Sequence, residues 1–131
     1  MKLLYLCVFA AVATTAYSDL KDVDRILAKI DFEAVRSSGR LLQNMFNCFI
    51  DGVKCTPDAF ELKKFFPEML STCCAECSEN LLAETKRMAD FLYANKPEYG
   101  KKTLEKYDPE GKYLAKCGEI LKSKGIDLTR F

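Results

Sequence analysis

A chain of 131 residues suffices for one domain with a modest core, and 20 basic against 19 acidic side chains give it no bias toward nucleic acid or an anionic membrane surface. It contains no histidine, which removes the commonest general base, the Ser-His and Cys-His couples and the commonest zinc ligand. Without histidine an enzyme would need paired carboxylates with shifted pKa values, and no acidic pair stands out from solvated helix faces, so the chain reads as a non-enzyme with no cofactor.

The chain opens on Lys2, an apolar run from Leu3 to Ala13, and small residues Thr14, Thr15 and Ala16. That is the order of a secretory signal, so residues 1–16 are expected to be removed and 17–131 to form a single helical domain, secreted to the extracellular space. The apolar run is shorter than the ~20 residues that span a bilayer, and no later stretch approaches that length, so no stable membrane insertion is expected.

From there on, apolar residues recur at helical spacing and no strand alternation is visible. Val23, Ile26, Leu27 and Ile30 form one stripe. Leu41, Leu42, Met45, Phe46, Phe49 and Ile50 form a broader second, and Phe60, Leu62, Phe65, Phe66, Met69 and Leu70 a third. Leu81, Leu82, Met88, Ala89, Phe91 and Leu92 make a fourth, and Tyr113, Leu114, Cys117, Ile120 and Leu121 the last. Thr56-Pro57-Asp58 reads as a helix cap with proline in the first turn, and Ser78 as another cap. Pro67 falls inside a helical pattern and predicts a kink or restart. Asn95-Lys96-Pro97-Glu98 ends one helix and opens the next, Asp108-Pro109-Glu110-Gly111 is a turn, and Gly125 closes the last helix. The expected fold is all-α, a compact bundle of about six short helices.

Loss of Cys7 with the signal leaves six cysteines, an even count that favours disulfides in a secreted chain. Four of them, Cys48, Cys55, Cys74 and Cys77, are separated by six, eighteen and two residues. Three readings compete for these four. A tetrathiolate zinc site suits the two-residue gap but not the six-residue one or the secreted context. A redox pair at Cys74-Ala75-Glu76-Cys77 normally follows a strand, and none is visible. The third reading is two structural bridges between sequence neighbours, Cys48–Cys55 and Cys74–Cys77, each closing a loop worth roughly 2 kcal/mol. Such bridges would pin local corners and leave helix packing free to adjust around a bulky ligand.

The 6-18-2 cysteine spacing resembles that of the insect chemosensory proteins, also called the OS-D-like or insect pheromone-binding family. Several further elements are similar to that family's. They are Ile30-Asp31-Phe32-Glu33, Gly39-Arg40-Leu41-Leu42, Asn47-Cys48, Cys55-Thr56-Pro57-Asp58, Glu61-Leu62-Lys63-Lys64, Phe66-Pro67-Glu68-Met69-Leu70, Asn95-Lys96-Pro97-Glu98 and Lys106-Tyr107-Asp108-Pro109-Glu110-Gly111. The resemblance covers about residues 27–126. It implies a monomeric helical bundle around an internal apolar channel, stapled by the two short-loop disulfides. It also implies a secreted, non-catalytic carrier that reversibly binds small hydrophobic ligands: long-chain fatty acids, alcohols, esters and pheromone-like semiochemicals. Some family members serve development or cuticle lipid traffic, which makes a lipid-handling or signalling role without chemosensation the alternative. A membrane-active helical protein of saposin type would need longer-range disulfides and a charge bias, and neither is visible.

With the wide Phe and Met stripes, the resemblance implies a pocket lined by Leu27, Phe32, Val35, Leu42, Met45, Phe46, Phe49, Leu62, Phe65, Phe66, Met69, Met88 and Leu92. The family's usual aromatic positions near the channel fall on Leu27, Met45, Gly100 and Cys117, all smaller or more flexible. The space at Gly100 is expected either to widen the cavity or to be filled by Tyr99. Cys73 and Cys117 are additional, and form either a third bridge or two buried free thiols.

Overall fold

In the computed structural model, which describes residues 22–131, the apolar stripes resolve into seven α-helices and no strand among the described residues. They are α1 Val23–Leu27, α2 Phe32–Ser37, α3 Gly39–Asp51, α4 Pro57–Ser71, α5 Glu79–Asn95, α6 Pro97–Tyr107 and α7 Lys112–Ser123, followed by a 3-10 turn at Leu128–Arg130. The expected signal segment lies outside the described residues.

Local chemistry sets the boundaries. The Asp31 carboxylate accepts from the Ala34 N–H at 3.0 Å and starts α2. Ser38 is extended, with φ −120° and ψ 115°, and its hydroxyl accepts from the Leu41 N–H to start α3. Helix α2, which no expected apolar stripe covers, makes seven helices of the expected six. Thr56 and Ser78 cap α4 and α5 through the Ala59 and Leu81 N–H groups, as their residue types predict. The Ser78 hydroxyl also donates to Asp24 and so ties α1 to the start of α5. Helix α4 runs through Pro67 without a restart. Pro67 is exposed, so water can take the carbonyl its missing N–H leaves free. Gly125, at φ +89°, closes α7 in the left-handed conformation that favours glycine.

The Lys106–Gly111 element has a structural role. Tyr107 donates its hydroxyl hydrogen to the Phe49 carbonyl, joining α6 to α3. The buried Asp108 accepts from the Tyr113 and Leu114 N–H groups at 3.0 and 2.8 Å and so caps α7, whose preceding residue, Gly111, has no side chain to do it. Asp108→Ala is expected to lower unfolding stability by about 2 kcal/mol, because it strips a buried cap from two donors. Urea unfolding checks this, and an unchanged midpoint would contradict it.

Three disulfides hold the bundle. Cys48–Cys55 and Cys74–Cys77 are the expected short-loop bridges, and with their thiols so bonded the zinc reading falls away. The third joins Cys73 to Cys117 across 44 positions, with Cα atoms 5.1 Å apart. It fastens the end of α4 to α7, so the bridges do more than pin local corners. Consecutive Cys73 and Cys74 both sit at positive φ, 54° and 59°, a conformation that costs a non-glycine residue. Each is held there by its own bridge, and the Lys124 ammonium donates to both their carbonyls at 3.4 and 3.0 Å.

The buried apolar residues divide into two clusters. The larger is built on Val23, Ile26, Leu62, Met69, Leu81, Leu121 and Ile126 with three of the cysteines. The smaller contains Val35, Leu42, Phe46 and Leu92, with Met45, Met88, Tyr99 and Phe131 packed against it. Among the described residues, no helix is long and apolar enough to cross a membrane.

Candidate functional site

A cavity of about 170 Å³ lies between the two core clusters and takes its walls from both. Each helix presents an apolar face inward, but the two groups of side chains do not close on one another. An engineered apolar cavity of about 150 Å³ in another protein stays dry and binds benzene. The space here is therefore already large enough for a small apolar group. A long chain must extend beyond it or displace part of its wall.

Ten of the expected lining residues meet at this cavity. Leu27 comes from α1, Phe32 from α2, and Met45, Phe46 and Phe49 from α3. Leu62, Phe66 and Met69 come from α4, Met88 and Leu92 from α5. Three do not reach it. Val35 and Leu42 are buried in the smaller cluster, away from the cavity wall. Phe65 packs against the larger one. Beyond the thirteen, Gly100, expected near the channel, lines the cavity from α6 together with Thr103 and Leu104, which are unexpected, as are Ile126, Leu128 and Phe131 from the C-terminal segment. Leu104 stands alone among lysines and polar residues, and Phe131 follows a polar run, so neither belongs to an apolar stripe.

The four aromatic-poor positions have different fates. Leu27, Met45 and Gly100 line the cavity, whereas Cys117 is buried in its bridge to Cys73. Tyr99 does not fill the space at Gly100; it stacks on Phe46, ring centroids 5.0 Å apart. Phe131 fills it instead. A Cβ built on Gly100 would stand only 2.2 Å from the Phe131 ring, so the ring lies directly on the bare helix backbone. The ring also stacks on Tyr93, centroids 4.1 Å apart, and Arg130 lies over Tyr93 at 4.1 Å. Burial, with the charge of Asp127, pushes the Tyr93 phenol up to about 12, so Tyr93 is a neutral partner in that stack.

This makes Phe131 part of the cavity wall. Phe131→Ala is expected to raise the affinity of the longest ligand chains relative to short ones. Each extra methylene that the vacated space admits adds at most about 0.8 kcal/mol, roughly fourfold in affinity. Displacement of a fluorescent probe by an alcohol series checks this, and an unshifted chain-length optimum would contradict it.

Polar groups at the cavity are few. The Thr85 and Thr103 hydroxyls donate to the Leu81 and Tyr99 carbonyls of their own helices, both at 2.7 Å. Glu84 is ion-paired with Arg36 and with Arg87, the latter at 2.9 Å. Burial raises the Glu84 carboxyl, but the hydrogen bonds and charges of the two arginines outweigh it and hold it below the ordinary carboxylate value. Nothing in this set forms a nucleophile–base couple. The arrangement suits holding an apolar molecule.

The sequence profile of the insect pheromone-binding family, A10/OS-D, matches residues 19–115. The chain is similar to ejaculatory bulb-specific protein 3 of Drosophila melanogaster, 38% identical over 113 residues that cover 86% of this chain and 82% of that one. Allergen Tha p 1 of Thaumetopoea pityocampa is 35% identical over 128 residues, 94% of this chain and 97% of its own. Among solved structures, antennal chemosensory protein A6 from the moth Mamestra brassicae superposes with a TM-score of 0.57 at 30% identity, covering 74% of this chain and 95% of that one.

Proposed function

The chain belongs to the insect pheromone-binding family, A10/OS-D, and from that membership we propose that it is a secreted carrier that reversibly binds long-chain hydrophobic molecules in the cavity between its two core clusters. The observation that carries this reading is the cavity itself. Its wall draws apolar side chains from all seven described helices and the C-terminal segment. A folded protein of this size normally closes such a space, because interiors pack to crystal-like density. Flexible methionines at positions 45, 69 and 88 supply a wall that can move aside for a guest.

Affinity is expected in the micromolar range, about −8 kcal/mol. The role requires no catalytic group and no cofactor, and a monomer suffices for it. Three disulfides support an oxidising, extracellular setting, with residues 1–16 as the signal that directs the chain there. The names of the relatives point to an ejaculatory bulb in one case and an antenna in another. The carrier reading depends on neither tissue.

Native mass spectrometry of the protein after exposure to a lipid extract tests the proposal. One bound molecule per chain, with the mass of a long-chain aliphatic compound, is the expected result. A spectrum of bare protein alone would contradict it.

A further inference from the structure

Beside the apolar cavity lies a polar vestibule of about 440 Å³, and the two share Leu27, Phe32 and Glu84 in their walls. Of the three shared residues Glu84 alone is polar, so a chain seated among the apolar residues with its head toward them would meet Glu84. Resting on the carrier reading above, we propose that this vestibule is a headgroup site that accepts an uncharged hydrogen-bonding group, such as a hydroxyl or an ester or aldehyde carbonyl, and rejects a carboxylate.

The charges lining the vestibule carry the argument. Asp24, Asp31, Glu33 and Glu84 face it together with Arg36 and Arg87, a surplus of two negative charges. Both guanidinium groups are already committed to Glu84, which takes Arg36 on one oxygen and Arg87 on the other. The Arg36 and Glu84 side chains are each only 14% exposed, so water screens that pair poorly. A ligand carboxylate would have to share the two guanidinium groups with Glu84 and weaken a poorly screened ion-paired group, and like charge from Glu84, Asp24, Asp31 and Glu33 would surround it. A hydroxyl meets neither obstacle. It can donate to a Glu84 oxygen, which has lone pairs to spare, or accept from a free arginine N–H, since each guanidinium carries five. An ester or aldehyde carbonyl can use the same arginine donors. The Thr85 and Thr103 hydroxyls inside the cavity spend their hydrogens on their own helices, so they offer a ligand carboxylate no donor.

The test compares dodecan-1-ol, methyl dodecanoate and dodecanoate, at equal chain length and pH 7.5, by displacement of a fluorescent probe from the folded protein. The alcohol and the ester are expected to bind at least tenfold more tightly than the ionised acid. In Glu84→Gln, which removes one negative charge and frees both arginines, the gap is expected to shrink to threefold or less. Glu33→Gln, on an exposed side chain outside the ion-paired group, is expected to narrow it without disturbing the fold. Equal or tighter binding of dodecanoate by the unaltered protein would overturn the headgroup assignment alone. So would a gap unchanged in both variants. Absence of binding by all three ligands would overturn the carrier reading, and the headgroup site with it.

Discussion

Replacing Cys73 and Cys117 together with alanine is expected to lower the stability of the oxidised protein by about 4 kcal/mol, from the loop-closure entropy of its 44-position span. The same relation gives about 2.5 kcal/mol for Cys48–Cys55 and about 2 kcal/mol for Cys74–Cys77, whose spans are 7 and 3. The difference is topological. The short bridges close corners the chain already turns, whereas Cys73–Cys117 fastens α7 to the end of α4. Both its cysteines are buried, so the double variant also loses packing. For a domain of this size the loss amounts to a fall in melting temperature of roughly 15–25 °C. Thermal unfolding of the three double-alanine variants checks the ranking. A Cys73/Cys117 variant no less stable than the other two would contradict it.

The second large effect concerns binding. Met45→Asp is expected to weaken long-chain ligands by more than 100-fold. Met45 lines the cavity yet is only half-buried, so the introduced carboxylate can reach water in the empty protein and the fold survives. A chain entering the cavity would strip that water away, and an unpaired charge against hydrocarbon is costly. Met45→Leu, which keeps the apolar surface, is expected to retain binding within a few fold. Probe displacement on both variants, with circular dichroism to establish folding, checks this. Retained binding by a folded Met45→Asp would place the ligand elsewhere.

Much of this architecture was legible in the chain. Helical periodicity located α1, α3, α4, α5 and α7, where apolar residues recur, and Thr56, Ser78, Pro97 and Gly125 marked boundaries through chemistry that depends only on nearby residues. Helix α2 was not legible, because Phe32–Ser37 is too short to carry a recurring apolar stripe and Ser37-Ser38-Gly39 by itself fits a loop as well as a cap. Periodicity shows that a residue is buried but not against what. Val35 and Leu42 therefore resembled the cavity residues, although they face the smaller cluster. The spacing of Cys73 and Cys117 leaves both a bridge and two free thiols open, since only the approach of α4 and α7 to a Cα separation of 5.1 Å decides between them. Phe131 gave no signal at all. Its place follows from the path of the chain after α7 and from the absence of a side chain at Gly100, neither of which periodicity encodes.

The most direct test of the central claim is calorimetric titration of the folded, oxidised protein with straight-chain alcohols and esters from C12 to C18. One molecule is expected to bind per chain with micromolar affinity, rising by at most about 0.8 kcal/mol for each added methylene until the available space is full. Heats indistinguishable from dilution across the whole series, with no displacement of a fluorescent probe, would contradict the account.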